Sequence, residues 1–266
     1  MADAFWRWDD VDGVQLLRCS PLEAIPRVAH AFSSRTASGD TGFDLGPADG
    51  ESPAVRERRA RFASAAGWGS APLAILRQVH GANLVSAAGL SQDPPAADGV
   101  VAEGPADGRA PIPAVRTADC VAILLADSRG HVFGALHGGW RGLAAGIAAS
   151  AVSRFAVAGA RPEDLVAALG PAILPCCYEV GTEVVEALGG ACGAAAGYVR
   201  QSRSGRTSID LHAAAAAQLA AAGVPPAAIH AAPYCTRCRN DLFFSFRAEG
   251  AGAGRLMAGI GPAASP

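Results

Sequence analysis

Two apolar, β-rich runs separated by a short turn constrain the fold of this chain more than any other feature. The first run covers residues 121–126 and the second covers residues 132–136. Both are rich in residue types that favour strands. Between them lies Asp127-Ser128-Arg129-Gly130, whose residue types are typical of a tight turn. The sequence therefore predicts a β-hairpin near the middle of the chain.

The predicted hairpin brings together two side chains with reactive chemistry. If Asp127 pairs with Gly130, the same antiparallel register sets Cys120 opposite His137 at the open end of the hairpin. Directly opposed residues point to the same face, with Cβ atoms about 4.5–5.5 Å apart. A thiolate and an imidazole at that separation form either part of a zinc centre or a Cys–His nucleophile pair.

A third candidate ligand is His80, within Gln78-Val79-His80-Gly81 at the end of a predicted strand over residues 73–79. Together with Cys120 and His137 it would supply three protein ligands. A catalytic zinc site has this composition, because the fourth position is left open for water or substrate. No local spacing rule supports the set, so the alternative is that His80 is a structural histidine.

Asp119 and the glycine-rich turn after the hairpin are further candidates. On a strand, Asp119 would face away from Cys120 and have a supporting or structural role. If the backbone bends there, it could act as a general base. The segment Gly138-Gly139-Trp140-Arg141-Gly142 allows close approach of the backbone and leads into a predicted helix. With the guanidinium of Arg141, this turn predicts an anion-binding site.

Other residues carry weaker signals. Arg35 follows a predicted strand and either reaches an anion or forms a surface salt bridge. Cys235-Thr236-Arg237-Cys238 is a CxxC without a second CxxC, so structural-zinc and redox roles are both disfavoured and two free thiols are expected. Cys176 and Cys177 are interpreted as packing thiols. The remaining histidines are expected to be structural, namely His30, His131, His212 and His230.

Composition limits the class of protein. Half of the 266 residues are hydrophobic, 17% are charged and the formal net charge is −2, which disfavours a nucleic-acid partner. No apolar run approaches the roughly 18 residues of a membrane span, and the acidic, aromatic start is unlike a signal peptide. An odd count of seven cysteines indicates a reducing compartment, so a cytoplasmic location is expected. Without repeats or a long linker, residues 1–266 are expected to form one α+β (mixed α/β) domain.

Five motifs, in order between residues 78 and 247, resemble those of the bacterial laccase-domain family, and the resemblance covers about residues 28–260. They are Gln78-Val79-His80-Gly81, Thr117-Ala118-Asp119-Cys120, His137-Gly138-Gly139-Trp140-Arg141-Gly142, Cys177-Tyr178-Glu179-Val180-Gly181 and Phe243-Phe244-Ser245-Phe246-Arg247. Members of that family have been labelled polyphenol oxidase, peptidoglycan editing factor and purine nucleoside phosphorylase with adenosine deaminase activity. The chain departs from the family at Gly42-Phe43-Asp44-Leu45, where relatives usually read Ser-Leu-Asn-Leu.

The resemblance implies a single domain of mixed β-sheets sandwiched between helices, with zinc bound by the residues matching His80, Cys120 and His137. It also implies phosphorolysis of adenosine, inosine and methylthioadenosine, and deamination of adenosine. Zinc can lower the pKa of a bound water to about 7, which would give a nucleophile for C6 of adenine. The expected partners are a nucleoside and phosphate, and the expected assembly is a monomer or homodimer. We assign catalysis to Asp119, Cys120 and His137, and substrate or phosphate binding to Arg35, Gly138, Gly139 and Arg141.

Three other functions stay open at this point. A multicopper oxidase is disfavoured because the six histidines include no His-x-His pair, although copper could occupy the Cys/His site in vitro. An amide hydrolase acting on mis-acylated peptidoglycan precursors could use the zinc site or a Cys120 thiolate with His137 as base. The third is a metal-dependent binding module without catalysis.

Overall fold

The computed structural model describes residues 2–40, 42–46, 52–88, 90, 93–104, 111–193 and 197–264. The strands in these residues are β1 (Trp6–Val11), β2 (Val14–Cys19), β3 (Val28–Ala37), β4 (Leu73–Ala74), β5 (Leu84–Ser86), β6 (Gly99–Glu103), β7 (Ile112–Thr117), β8 (Val121–Asp127), β9 (Val132–Gly138), β10 (Leu165–Leu169), β11 (Val199–Gln201), β12 (Thr207–Ile209), β13 (Ile229–Ala231) and β14 (Leu256–Pro262). The α-helices are α1 (Ser20–Glu23), α2 (Pro53–Ala66), α3 (Trp140–Ala144), α4 (Ile147–Val157), α5 (Thr182–Cys192), α6 (Leu211–Ala221) and α7 (Phe246–Glu249).

Most of the strands form two six-stranded mixed sheets. The first has the order β1-β2-β3-β14-β7-β4 and is antiparallel except for the β4–β7 pair. The second has the order β13-β10-β8-β9-β6-β5, with parallel pairs at both edges and antiparallel pairs between them. Strands β11 and β12 form a separate antiparallel ribbon.

The two sheets pack face to face between helices. Phe32 of the first sheet and Phe133 of the second belong to one buried cluster between the sheets. Helix α2 covers the outer face of the first sheet, where Phe62 packs in a cluster with Met257. Helices α4, α5 and α6 cover the outer face of the second sheet through a cluster that includes Phe155. This layered arrangement confirms the predicted mixed α/β domain with sheets between helices.

The position of strand β8 in the fold explains why its sequence is apolar from Val121 to Ala126. Val121, Ile123 and Leu125 belong to the cluster shared with the helices. The alternate residues Ala122, Leu124 and Ala126 belong to the cluster between the sheets. Because side chains alternate along a strand, a strand that is covered on both faces reads as a continuous apolar run.

The hairpin forms, but its predicted register is wrong by two residues. Val121 lies opposite Gly138 and Ala122 opposite His137, so Cys120 is not directly across from His137. The Asp127 carboxylate accepts hydrogen bonds from the backbone N–H groups of His131 and Val132, at 2.6 and 2.7 Å, and thereby closes a longer turn. A shift of two residues preserves the alternation of faces, so Cys120 and His137 become diagonal neighbours on the same face.

None of the helices in the described part of the chain is both long enough and apolar enough to cross a membrane.

Candidate metal centre

His80, Cys120 and His137 converge as the sequence predicts. One ligand atom from each lies within 4.8 Å of the others. The two imidazole rings are 4.7 Å apart between centroids and stand edge to face at 78°. His137 is buried on β9, Cys120 is half-buried in the bend before β8, and His80 is exposed in the loop after β4. The cluster is therefore accessible from solvent on the His80 side.

Asp98, which sequence reasoning missed, orients His137. Its fully buried carboxylate accepts a hydrogen bond from His137 Nδ1 at 2.8 Å. Burial alone raises the pKa of Asp98, but the hydrogen bonds from His137 and the backbone N–H of Gly81 outweigh it and the pKa is lowered. The ionised carboxylate can only accept, so His137 directs its Nδ1–H at Asp98 and leaves Nε2 for a ligand.

Asp98 also fixes the position of His80. Its two oxygens accept the backbone N–H groups of Val79, His80 and Gly81 at 3.2, 2.9 and 2.6 Å. His80 has a φ of +59° in this tight bend, a conformation that is uncommon for a non-glycine residue. The prediction that His80 ends a strand over residues 73–79 is therefore wrong, since β4 ends at Ala74 and a side chain holds the following segment.

The electrostatics of the cluster favour a thiolate. Burial raises the pKa of Cys120, but the charge of His137 and hydrogen bonds from His137 and His80 outweigh it and lower that pKa to about 6. Burial lowers the pKa of His137, but the Cys120 thiolate and the hydrogen bond to Asp98 raise it to about 9. Without a metal, Cys120 and His137 therefore form a thiolate–imidazolium pair. Thiolate is the form of cysteine that binds metals.

The donor set fits zinc. One thiolate and two imidazoles are common zinc ligands, and a carboxylate behind a ligand histidine is a recurrent feature of zinc sites. His80, Cys120 and His137 are the residues that could hold the ion. The exposed side of the cluster leaves room for a fourth ligand, which is the arrangement of a catalytic rather than a structural site.

Glycines let helix α3 approach the cluster closely. A Cβ placed on Gly139 would lie 3.1 Å from His80 Cδ2 and 3.2 Å from Cys120 Sγ. A Cβ on Gly142 would lie 2.7 Å from the carbonyl oxygen of Gly81, and one on Gly138 would lie 2.7 Å from Val121 Cγ1. Gly139 has φ −73° and ψ 160°, which any residue can adopt, so the requirement there is space.

Two arginines and Tyr178 lie at the same corner of the molecule. Arg141 is exposed, with its guanidinium carbon 4.3 Å from the centroid of the Trp140 ring. Arg247 lies 5.2 Å from the Tyr178 ring. Burial, and then the charge of Cys120, raise the pKa of Tyr178 to about 12, while Arg247 and Arg141 oppose this rise. Sequence reasoning gave no role to Tyr178 or Arg247, although both lie in motifs that carried the family resemblance.

Asp119 lies in a bend, with φ +92°, and not on a strand. Its Oδ1 accepts the hydroxyl hydrogen of Thr236 at 2.6 Å and its Oδ2 accepts the backbone N–H of Arg247 at 2.7 Å. Such a bend is the condition under which Asp119 could act as a general base, and that role stays a prediction. The carboxylate joins the loop after β13 to helix α7 immediately beside Cys120.

The structure places Arg35 in a salt bridge. Its guanidinium lies 2.9 Å from Glu249 and donates to the carbonyl oxygen of Asn240 at 2.7 Å. The Phe244 ring centroid is 4.5 Å from the guanidinium carbon. These contacts agree with the salt-bridge interpretation of Arg35, and a contact with an anion stays a prediction.

A second group of potential metal ligands appears where none was expected. The Sγ atoms of Cys176, Cys177, Cys235 and Cys238 all lie within 4.8 Å of one another. Cys177 belongs to the buried cluster under the helices and Cys176 packs against it, as expected for packing thiols, but both also lie beside the CxxC. A β-bridge between Ala172 and Cys235 brings the two loops together, and no spacing rule in the sequence shows such a contact.

The layered fold brings three candidate metal ligands together in one cluster. The profile of the family described as "Multi-copper polyphenol oxidoreductase laccase" matches residues 29–263. The chain belongs to this family.

Alignments with known proteins cover between about half and nearly all of the chain. It is 36% identical over 254 residues to a "Purine nucleoside phosphorylase" of Deinococcus radiodurans, covering 94% of this chain and 93% of that protein. It is 44% identical over 147 residues to "Adenosine deaminase RL5" of an unknown prokaryotic organism, an alignment that spans about half of each chain, 55% and 56%. The crystal structure of YlmD from Geobacillus stearothermophilus superposes with a TM-score of 0.84 at 27% identity, covering 98% and 99% of the two chains.

Proposed function

We propose that this chain is a zinc-dependent purine nucleoside enzyme, which carries out phosphorolysis of adenosine, inosine and methylthioadenosine and deaminates adenosine. The observation that carries the proposal is the His80–Cys120–His137 cluster, which is open to solvent on one side. The names of two relatives, a purine nucleoside phosphorylase and an adenosine deaminase, supply the substrate class.

His80, Cys120 and His137 would hold the zinc, and Asp98 would keep His137 and the His80 loop in place. When bound, zinc supplies a Lewis acid and lowers the pKa of coordinated water. Copper has a higher intrinsic affinity for such donors. However, the described residues contain two groups of three or more candidate ligands: the His80–Cys120–His137 cluster and the four cysteines. Neither group is the histidine-rich cluster that a multicopper oxidase requires.

Arg141 is the proposed phosphate-binding residue. In phosphorolysis, a phosphate oxygen bonds to C1′ of the ribose while the C1′–N9 bond breaks and its electron pair leaves with the purine. An exposed guanidinium can bind phosphate through two parallel hydrogen bonds. Arg247, whose guanidinium carbon lies 5.2 Å from the centroid of the Tyr178 ring, supplies a second positive charge. Gly138 and Gly139 would contribute indirectly, because their lack of side chains lets the backbone before α3 lie against Val121, His80 and Cys120.

Asp119 would act as a positioning residue for both reactions. Both of its oxygens already accept hydrogen bonds, from Thr236 and from the backbone of Arg247. It therefore holds the segment that carries Arg247 against the bend that carries Cys120. Deamination replaces the amino group at C6 of adenosine with oxygen from water and releases ammonia, so it requires the cluster but no phosphate.

The test is to incubate the zinc-loaded protein with inosine and with adenosine, each with and without phosphate, and to separate the products by chromatography. The proposal predicts hypoxanthine and ribose 1-phosphate from inosine only when phosphate is present. From adenosine it predicts inosine when phosphate is absent, and adenine, hypoxanthine and ribose 1-phosphate in addition when phosphate is present. Equal release of hypoxanthine without phosphate would replace the phosphorylase with a nucleoside hydrolase. Turnover of a muropeptide precursor or a phenol, with none of the nucleosides, would overturn the proposal.

A further inference from the structure

The four-cysteine cluster lies in two loops outside the His–Cys–His cluster. Cys176 and Cys177 follow β10, whereas Cys235 and Cys238 follow β13. Cys238 Sγ is 3.6 Å from Cys176 Sγ and 3.4 Å from Cys177 Sγ. All four residues are free thiols, and these separations far exceed the roughly 2.0 Å of a disulfide bond.

The separations match a tetrahedral metal site. Sulfur ligands bind zinc at about 2.3 Å, so two sulfurs at neighbouring corners of the tetrahedron are about 3.8 Å apart. The upper limit of 4.8 Å among the four Sγ atoms leaves only small movements to reach that geometry. Four cysteine thiolates are a common ligand set of structural zinc sites.

The backbone holds the two loops together independently of the cysteines. Thr236 N–H donates to the carbonyl oxygen of Ala172 at 3.0 Å, and Ala172 forms a β-bridge with Cys235. Ile173 N–H donates to the carbonyl oxygen of Asp119 at 2.9 Å. These backbone contacts hold the four thiols close together before a metal binds. The entropic cost of ordering the ligands on metal binding is therefore reduced.

Donors around the sulfurs suit an anionic centre. Zinc with four thiolates has a net charge of −2, which nearby N–H groups and cations stabilise. Leu174 N–H donates to Cys235 Sγ at 3.4 Å, and the Arg203 guanidinium donates to Cys238 Sγ at 3.5 Å.

We propose that Cys176, Cys177, Cys235 and Cys238 bind a second zinc ion at a structural site. Four protein ligands leave no position for a substrate, so this ion would not take part in the reaction. It would join the loop that leads to Tyr178 to the loop that carries Thr236, and Thr236 holds Asp119 beside Cys120. The proposal does not depend on the substrate of the enzyme.

Zinc counting and X-ray absorption of the wild-type protein, purified under reducing conditions, test the proposal without any substitution. We expect two zinc ions per chain and five sulfur ligands for the two ions, with Zn–S at about 2.3 Å and Zn–N at about 2.0–2.1 Å. A single zinc ion with one sulfur ligand would overturn the second site. A disulfide among the four cysteines, found by counting thiols in denatured protein without reductant, would also overturn it.

Variants assign the second ion to its ligands. Cys238→Ser should lose one zinc ion per chain and lower the Tm, whereas the ion held with Cys120 stays. Cys192→Ser is the matched control, because Cys192 lies outside both clusters and contacts the Ala214 carbonyl oxygen and Gln218. Cys238→Ser protein that retains two zinc ions per chain would exclude the assignment. If Cys238→Ser is insoluble, the sulfur count of the wild-type protein decides.

Discussion

One buried carboxylate determines the geometry of the candidate metal centre. Asp98 binds His137 Nδ1 and three consecutive backbone N–H groups at residues 79–81. It thus orients one ligand and fixes the left-handed backbone of another, His80. An asparagine in its place has one acceptor oxygen, and its NH₂ group would face donors. Asp98 therefore matters to the site although it is not itself a proposed ligand.

Asp98→Asn should weaken zinc binding at the His80–Cys120–His137 site by about 10- to 100-fold, the usual effect of removing the partner of a ligand histidine. Chelator competition measures this affinity, with Cys120→Ser protein as the blank. Asp127→Asn is the control, because Asp127 is equally buried and binds backbone N–H groups of the hairpin loop, away from the cluster. It should lower stability and leave the zinc affinity unchanged. Wild-type affinity in Asp98→Asn would show that Asp98 does not position the ligands.

Arg141→Ala should raise the KM for phosphate in inosine phosphorolysis by about 10- to 100-fold. Two charge-assisted hydrogen bonds to phosphate contribute on the order of 1.5–3 kcal/mol. Adenosine deamination and zinc content should change much less. Arg161→Ala is the control, since Arg161 is an exposed arginine paired with Asp164. If phosphorolysis and deamination fall equally in Arg141→Ala with zinc retained, Arg141 has a general structural role instead.

At the scale of elements, the hairpin shows how much of the site the sequence predicts. Strand propensity locates β8 and β9, and the alternation of faces places Cys120 and His137 on the same side. The register is not predicted, because the side chain of Asp127 closes the turn by binding His131 and Val132. Strand propensities contain no such contact. An even shift of register keeps Cys120 and His137 on the same face, so the two side chains remain neighbours despite the error.

The backbone at the start of helix α3 packs tightly against the candidate ligands. Gly139→Ala adds a methyl group 3.1–3.2 Å from atoms of His80 and Cys120 without straining the backbone. Overpacking typically costs about 1–3 kcal/mol, so zinc affinity should fall by roughly 5- to 150-fold. Gly190→Ala in α5 is the control, because nothing lies within 4 Å of the added Cβ, and it should be neutral or slightly stabilising. An unchanged zinc affinity in Gly139→Ala would show that His80 and Cys120 can move aside without a free-energy cost, and would contradict the prediction.

At the scale of the whole molecule, the sequence predicts the layers better than the contacts between distant loops. Apolar runs and the family resemblance indicate mixed sheets between helices, and the fold confirms them. The convergence of Cys176 with Cys238, and of Asp98 with the His80 loop, depends on tertiary contacts between segments that are far apart in the chain. Residue types and local spacing do not contain that information.

The packed sheets also bury His30 completely, and this makes stability depend on pH. His30 Nε2 accepts the backbone N–H of Cys19 at 2.8 Å. Burial, aided by the charge of Arg18, lowers the pKa of His30 to about 3. Below about pH 6.5 the unfolded chain binds a proton there and the folded protein does not, so stability falls as the pH drops from about 6.5 towards 3.

The contribution of His30 should amount to about 2 kcal/mol of unfolding free energy lost between pH 7 and pH 5. Urea unfolding at both pH values measures it. His30→Gln removes the titrating group while keeping an acceptor for the backbone N–H of Cys19. Between pH 7 and pH 5, the unfolding free energy of this variant should therefore fall by about 2 kcal/mol less than that of the wild type. His131→Gln, at an exposed position, should behave like the wild type. Identical pH dependence in His30→Gln and wild type would contradict the assignment.

In the proposed function, His80, Cys120 and His137 hold the catalytic zinc of a purine nucleoside enzyme. The most direct test measures zinc content and phosphate-dependent release of hypoxanthine from inosine in the same preparations of wild type, Cys120→Ser and Cys192→Ser. We predict that Cys120→Ser loses one zinc ion per chain and its activity. Cys192→Ser should keep the zinc content and the activity of the wild type. Wild-type zinc content or wild-type activity in Cys120→Ser would contradict the claim.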